Sequence, residues 1–181
     1  MKLLKIVLVA VALMGLLCGC TKTTPEPMSE PDASSAGQMT GMPNPVVPST
    51  EEGVLEQVGV YCGLPETAVD VQYFVIGKTT EEVRFFVSGV PVTVRVQPTA
   101  EFTDISGYYI PWDREEPCRV GYCDGTVRET VYNGKAIRSC LWFDAAPGIM
   151  YCVSAEGDVP AEFDLVTIAD AVFIPMQGDV G

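Results

Sequence analysis

Val83-Arg84-Phe85-Phe86-Val87-Ser88-Gly89-Val90-Pro91-Val92-Thr93-Val94-Arg95 is the stretch from which the rest of the chain can be read. A two-residue Ser88-Gly89 turn sets Val87 opposite Val90, Phe85 opposite Val92 and Val83 opposite Val94, because hairpin register follows loop length. Those six apolar side chains then share one face, while Arg84, Thr93 and Arg95 share the other. Turn chemistry and period-two alternation agree, so the stretch predicts an antiparallel hairpin with one face turned to a core.

The same reading extends in both directions. Upstream, Val71, Tyr73 and Val75 alternate with Asp70, Gln72 and Phe74. Downstream, Asn133-Gly134 signals a type I′ turn that pairs Tyr132 with Lys135, Thr130 with Ile137, and Glu129 with Arg138 of opposite charge. This register predicts Ile137, Leu141 and Phe143 toward the core. It leaves Arg138, Cys140, Trp142 and Asp144 on the far face, with Trp142 exposed or under a loop. After a turn at 145–148, Ile149, Tyr151 and Val153 alternate with Met150, Cys152 and Ser154 in a closing strand.

Two helices flank these strands. Ser49 or Thr50 can cap the first, with Glu51 and Glu52 in its first turn, Val54, Leu55 and Val58 on one face, and Gly63 and Pro65 ending it. Asp158 and Pro160 open the second, with Glu162 in its first turn and Leu165, Ile168, Ala169, Val172 and Phe173 at helical spacing. One-sided helices and a one-sided sheet bury their apolar faces together. The expectation is α+β: an antiparallel meander sheet of about six strands with an N-terminal and a C-terminal helix packed on one face.

The beginning of the chain reads differently. Lys2 and Lys5 precede an apolar run at 6–17, too short for the ~20 residues of a membrane-spanning helix, and Leu17-Cys18-Gly19-Cys20 follows. This segment resembles the lipobox of bacterial lipoproteins. The resemblance implies cleavage before Cys20, a diacylglycerol on its sulfur, and a palmitate-type acyl anchor holding the chain on the cell membrane, facing away from the cytoplasm. Residues 21–49 are rich in Thr, Pro, Glu, Ser, Gly and Met without apolar periodicity, so they read as a disordered tether with a reach of roughly 30 Å. The expected organisation is signal peptide 1–19, lipidated cysteine and tether 20–49, one extracytoplasmic domain 50–175, and a flexible tail 176–181.

Charge and composition narrow the chemistry. Without Lys2 and Lys5 the chain would carry 24 acidic against 9 basic residues, a net charge of −15, which disfavours nucleic acid as a partner. There is no histidine, the usual general base and commonest metal ligand. Gly-rich phosphate loops, Ser-x-x-Lys pairs and Gly-x-Ser-x-Gly elbows are missing as well. No cofactor and no metal is expected.

Five cysteines fall in the domain: Cys62, Cys118, Cys123, Cys140 and Cys152. An exported chain can form disulfides, and an odd count leaves one thiol over. Cys118 and Cys123 close a short loop and form one candidate bridge. Cys140 and Cys152 form a candidate cross-strand pair if the turn at 145–148 uses three residues. Zinc is the weaker reading, since no Cys-x-x-Cys pair occurs. Asp113, Glu115, Glu116 and Asp124 could offer oxygen ligands but lack the spacing of a calcium loop, and a solvated acidic turn explains them better. Tyr108, Tyr109, Trp112, Tyr122 and Trp142 are candidate binding aromatics for a peptide or glycan, with core or loop packing as the alternative.

Several short segments together carry a second resemblance: Ile105-Ser106-Gly107-Tyr108-Tyr109, Trp112-Asp113, Trp142, 148–154 and Leu165-Val166-Thr167-Ile168-Ala169. In this order, from about Asn44 to Phe173, they resemble a domain of unknown function from Gram-positive bacteria. That domain occurs in small lipoproteins and on the outer side of membrane-anchored regulators similar to anti-sigma factors. The missing catalytic motifs and the aromatic loop residues favour a non-catalytic binding or sensing module, meeting an envelope protein, a peptide or a glycan, and the resemblance points the same way. A structural partner in an envelope complex is the alternative, and a hydrolase is weaker still.

Overall fold

The computed structural model describes residues 45–175. In chain order its elements are β1 (Val46–Ser49), α1 (Glu51–Val58), β2 (Val69–Ile76), β3 (Thr80–Val87), β4 (Val90–Pro98), β5 (Arg114–Val120), β6 (Cys123–Tyr132), β7 (Lys135–Asp144), β8 (Ile149–Gly157) and α2 (Leu165–Val172). The protein is α+β, and its strands are antiparallel throughout. No helix among the described residues is long and apolar enough to cross a membrane.

Both hairpin turns form as the sequence predicts. Ser88 and Gly89 have φ of 51° and 81°, and Asn133 and Gly134 have 52° and 77°, the double positive φ of a type I′ turn. The registers follow: Val87 faces Val90, Phe85 faces Val92, Val83 faces Val94, and Glu129 faces Arg138 with 3.2 Å between their charged groups.

The sheet has eight strands rather than about six, in the order β1-β2-β3-β4-β8-β7-β6-β5. It is not one meander but two, joined where β4 pairs with β8: Val92 with Ala155, Val94 with Val153, Val96 with Tyr151. The two unexpected strands are its edges. Val46–Ser49, read from sequence as the end of a tether, pairs with β2, and Arg114–Val120, read as a loop, pairs with β6. An edge strand faces solvent along one side and needs no apolar run, which is why Arg-Glu-Glu-Pro-Cys-Arg-Val carries so weak a strand pattern.

The main core collects Val83, Phe85, Val92, Val94, Val96, Tyr151 and Val153 from the sheet with Leu165, Ile168, Ala169 and Val172 from α2 and with Val60 and Cys62. Cys140 and Trp142 belong to this core, against the sequence expectation. Trp142 is 0 % exposed, stacked on Tyr151 at 5.0 Å between ring centroids, with Phe173 edge-on to both. Leu141 and Phe143, expected to face that core, join Ile105, Met150 and Cys152 in a smaller cluster on the opposite side. With both faces of β7 buried, polarity could not assign them.

Thr50 is the cap of α1, accepting a hydrogen bond from the Gly53 N–H at 3.1 Å. The second helix starts later than Asp158 and Pro160 suggest. Asp164 caps it by accepting from the Val166 and Thr167 N–H groups, and the Thr167 hydroxyl above all, with these backbone bonds, holds its carboxyl below the usual range. The segment before it is a turn whose Pro160 and Phe163 carbonyls accept from the Arg138 guanidinium.

Among the described residues Trp142 is the largest fully buried side chain, and its indole N–H finds no hydrogen-bond partner there. Trp142→Ala is therefore expected to cost about 3–5 kcal/mol in urea unfolding. Trp142→Phe gives up ring area but no hydrogen bond, and should cost clearly less.

Candidate functional site

The fifteen residues from Thr99 to Asp113 connect β4 to β5 without regular structure, yet they are held at many points. Ile105 is buried against Leu141, Met150 and Cys152. Its carbonyl accepts from the Arg95 guanidinium at 3.1 Å, and Arg95 is itself held by Glu82 at 2.7 Å. Glu82 is 1 % exposed and carries a second arginine, Arg84, which lies over the Phe74 ring. A buried carboxylate is tolerated when it is paired in this way. Gly107 has φ +77°, a conformation that favours glycine, and a Cβ there would press on the Arg95 guanidinium.

A second arginine closes the other half of the loop. Arg128 donates to Asp104 at 2.6 Å and to Glu115 at 3.2 Å, and lies over the Trp112 ring at 5.9 Å. Burial works against the Asp104 charge, but hydrogen bonds from Ser106 and Arg128 outweigh it and hold the carboxyl below the usual range. Asp113 ends the loop by accepting from Thr130 Oγ1 and the Val131 N–H.

This scaffold presents Tyr108 and Trp112 edge to face, 6.0 Å apart, with Tyr109 beside them at 97 % exposure. Next to Tyr108 lies a cavity of about 300 Å³ lined by Pro91, Thr93, Tyr108, Lys135, Ser154 and Glu156. Lys135 and Glu156 pair across it at 3.0 Å, and the Tyr108 hydroxyl reaches Glu156 at 3.5 Å. The cleft has an aromatic wall, hydroxyls, and both a donor and an acceptor of full charge. Such a lining suits a polar ligand that offers a flat or ring-shaped face.

The five candidate aromatics therefore do not form one patch. Tyr108, Tyr109 and Trp112 share the loop, Trp142 is in the main core, and Tyr122 sits in the β5–β6 turn against Phe173. The Tyr122 hydroxyl donates to Asp144 at 2.6 Å, and this bond pushes its pKa up to about 12.

The candidate cysteine pairs are corrected as well. Asp144 pairs with Ile149, so the turn has four residues, and Cys140 faces Val153 while Leu141 faces Cys152. A one-residue difference places Cys140 and Cys152 on opposite sides of the sheet. Cys118 faces Gly125 and Cys123 faces Val120, so those two are offset along the hairpin. All five cysteines stand as thiols. Burial pushes the Cys123 and Cys152 pKa values up to about 11 and about 12, far from a reactive thiolate.

Among the four acidic residues weighed for calcium, Asp113 is held by Thr130 and Val131, and Glu115, Glu116 and Asp124 pair with Arg128, Arg114 and Arg119. Among the described residues, no group of three His, Cys, Asp or Glu side chains could hold a metal ion.

Sequence reasoning passed over both buried acids of β3, Glu82 and Glu81. Glu81 is 1 % exposed in the apolar face of β3, beside Cys62, with Oε2 unpartnered. Carrying the Val83-Phe85-Val87 alternation two residues back would have found it.

Set against protein-family models, curated proteins and solved structures, the chain matches none.

Burial, opposed by hydrogen bonds from Cys62 and assisted slightly by the Glu51 charge, raises the Glu81 pKa to about 8. Between the ordinary carboxyl range and pH 8 the folded chain thus holds a proton that the unfolded chain has lost. Stability is greatest below that window and falls as pH rises through it. Denaturation midpoints measured from pH 4 to 9 should show this decline, and Glu81→Gln, neutral throughout, should flatten it.

Proposed function

We propose that this chain is a lipid-anchored, extracytoplasmic binding module that takes a peptide or glycan of the cell envelope at the loop 99–113. The observation that carries the reading is Tyr109: a large aromatic ring almost wholly exposed on a loop that two buried or half-buried arginines pin in place. An exposed ring on a rigid support binds with little loss of conformational freedom. In this reading both helices cover one sheet face, leaving the other to the loop and the Tyr108 cleft, and the module acts without catalysis.

The anchor rests on the lipobox at Leu17-Cys18-Gly19-Cys20, which lies outside the described residues, as do the signal peptide, most of the tether and the tail. Two acyl chains hold a protein stably where one does so only marginally. A Cys20→Ala chain should move from the membrane to the soluble fraction on cell fractionation. Continued membrane partition would sink the lipid anchor while leaving the binding site untouched.

Binding is tested through Trp112, which lies half-buried beside Tyr108, whereas Trp142 is sealed in the core. Titrating the full-length chain with soluble disaccharide-peptide fragments of peptidoglycan should produce a saturable change in tryptophan emission. The change should vanish in Trp112→Phe, and affinity should weaken roughly tenfold or more in Tyr108→Ala and Tyr109→Ala. Flat titrations with these fragments and with their separated glycan and peptide parts would reject this ligand class.

A further inference from the structure

The cleft beside Tyr108 is walled by Pro91 and Thr93 of β4, Ser154 and Glu156 of β8, Lys135 of β7 and the Tyr108 ring. Strand register brings the five sheet residues to one face. Thr93 pairs with Ser154, Pro91 and Glu156 lie two residues further along their own strands, and Ile137, opposite Glu156, has Lys135 on its own side. β4, β8 and β7 are neighbours inside the sheet, so each spends its backbone groups on the strands either side of it. The floor therefore has no free edge to which an extended peptide could add as a strand. Apart from the Tyr108 ring, Pro91 is the one apolar side chain among the described lining residues, too little to seat an apolar side chain of a peptide.

The charges of the cleft cancel. Lys135 Nζ lies 3.0 Å from Glu156 Oε1, so a charged ligand has to break this pair, whereas a neutral one can use what the pair leaves over. An ammonium has three donors, and one is spent here. Glu156 Oε2 meets the Tyr108 hydroxyl at 3.5 Å, well beyond the roughly 2.7 Å of a good O–H···O bond, and so has room for a better donor. A donor and an acceptor thus stand side by side next to an aromatic wall. Two neighbouring hydroxyls on a sugar ring are their complement: one donates to Oε2 while the other accepts from Nζ, and the C–H face of the ring packs on the tyrosine. The volume of about 300 Å³ is at the low end for small-molecule sites and suits a single ring.

We propose that the Tyr108 cleft is a saccharide subsite, taking a neutral sugar ring with its vicinal hydroxyls on Glu156 and Lys135 and its C–H face on Tyr108. The subsite is part of the binding site proposed for the 99–113 loop and rests on that reading; it narrows the ligand from peptide or glycan to glycan. Its wall is set before the ligand arrives. The Tyr108 N–H donates to Ser106 Oγ at 3.2 Å, and the Ser106 N–H donates to Asp104 at 2.9 Å. A ring supported in this way loses little freedom on binding.

The test titrates the full-length chain, in a detergent without a sugar head group, with chitotriose, cellotriose, maltotriose and the free pentapeptide stem of peptidoglycan, followed by calorimetry. At least one of the three neutral trisaccharides should bind saturably and more tightly than the pentapeptide. Because no net charge is exchanged, raising NaCl from about 50 to 500 mM should change that affinity less than about twofold. Lys135→Met and Glu156→Gln should each weaken it roughly tenfold. Their side chains are 63 % and 41 % exposed, so neither variant removes core packing. Pentapeptide binding as tight as or tighter than that of every trisaccharide overturns the saccharide subsite and leaves the binding role of the loop standing. Trisaccharide binding that both variants leave unchanged also overturns it, since the ring then sits elsewhere. Silence from all four overturns the subsite, and the Trp112 titration with envelope fragments then decides the binding reading separately.

Discussion

The pairing of β4 with β8 is the contact on which the molecule depends. Local hairpins join β2 to β4 and β5 to β8, while α1 lies between β1 and β2. Their union converts two inner edges into one ladder that sets Val92, Val94 and Val96 beside Ala155, Val153 and Tyr151. The main core lies across this seam, drawing on strands from both meanders and on α2. On the other side, Arg95 of β4 holds the 99–113 loop against Met150 and Cys152 of β8. The candidate site therefore inherits its rigidity from the join between two strands that are far apart in the chain.

How legible each part was in the sequence follows from how one-sided its surroundings are. The hairpins around Ser88-Gly89 and Asn133-Gly134 could be read because a turn and an alternating pattern specify the register independently. The assignment of Trp142 failed because Ser-Cys-Leu-Trp-Phe-Asp is buried on both faces and holds no polar alternation. β5 escaped notice because its residues meet solvent and its one proline argues against a strand.

The site was legible in its residues but not in its grouping. Tyr108, Tyr109 and Trp112 are neighbours in sequence and remain so in space, whereas Tyr122, in the β5–β6 turn, and Trp142, on β7, both pack against Phe173 on the main-core side. The arginines that fix the loop gave a partial signal, since Arg95 falls on the polar face of the predicted hairpin. Their partners, a buried glutamate and a loop carbonyl, become visible only once β3, β4 and the loop are side by side.

The two outer strands bear on a different matter. A row of unpaired backbone groups invites a further strand from another molecule, and crowding on a surface multiplies the encounters. Both edges discourage it: β1 has four residues and includes Pro48, and β5 includes Pro117 among Arg114, Glu115, Glu116 and Arg119. Proline offers no N–H to a newcomer, and a strand laid alongside β5 would have to desolvate its charged side chains. Copies of this domain can therefore stand at high density without zipping together into sheets that run from one molecule to the next.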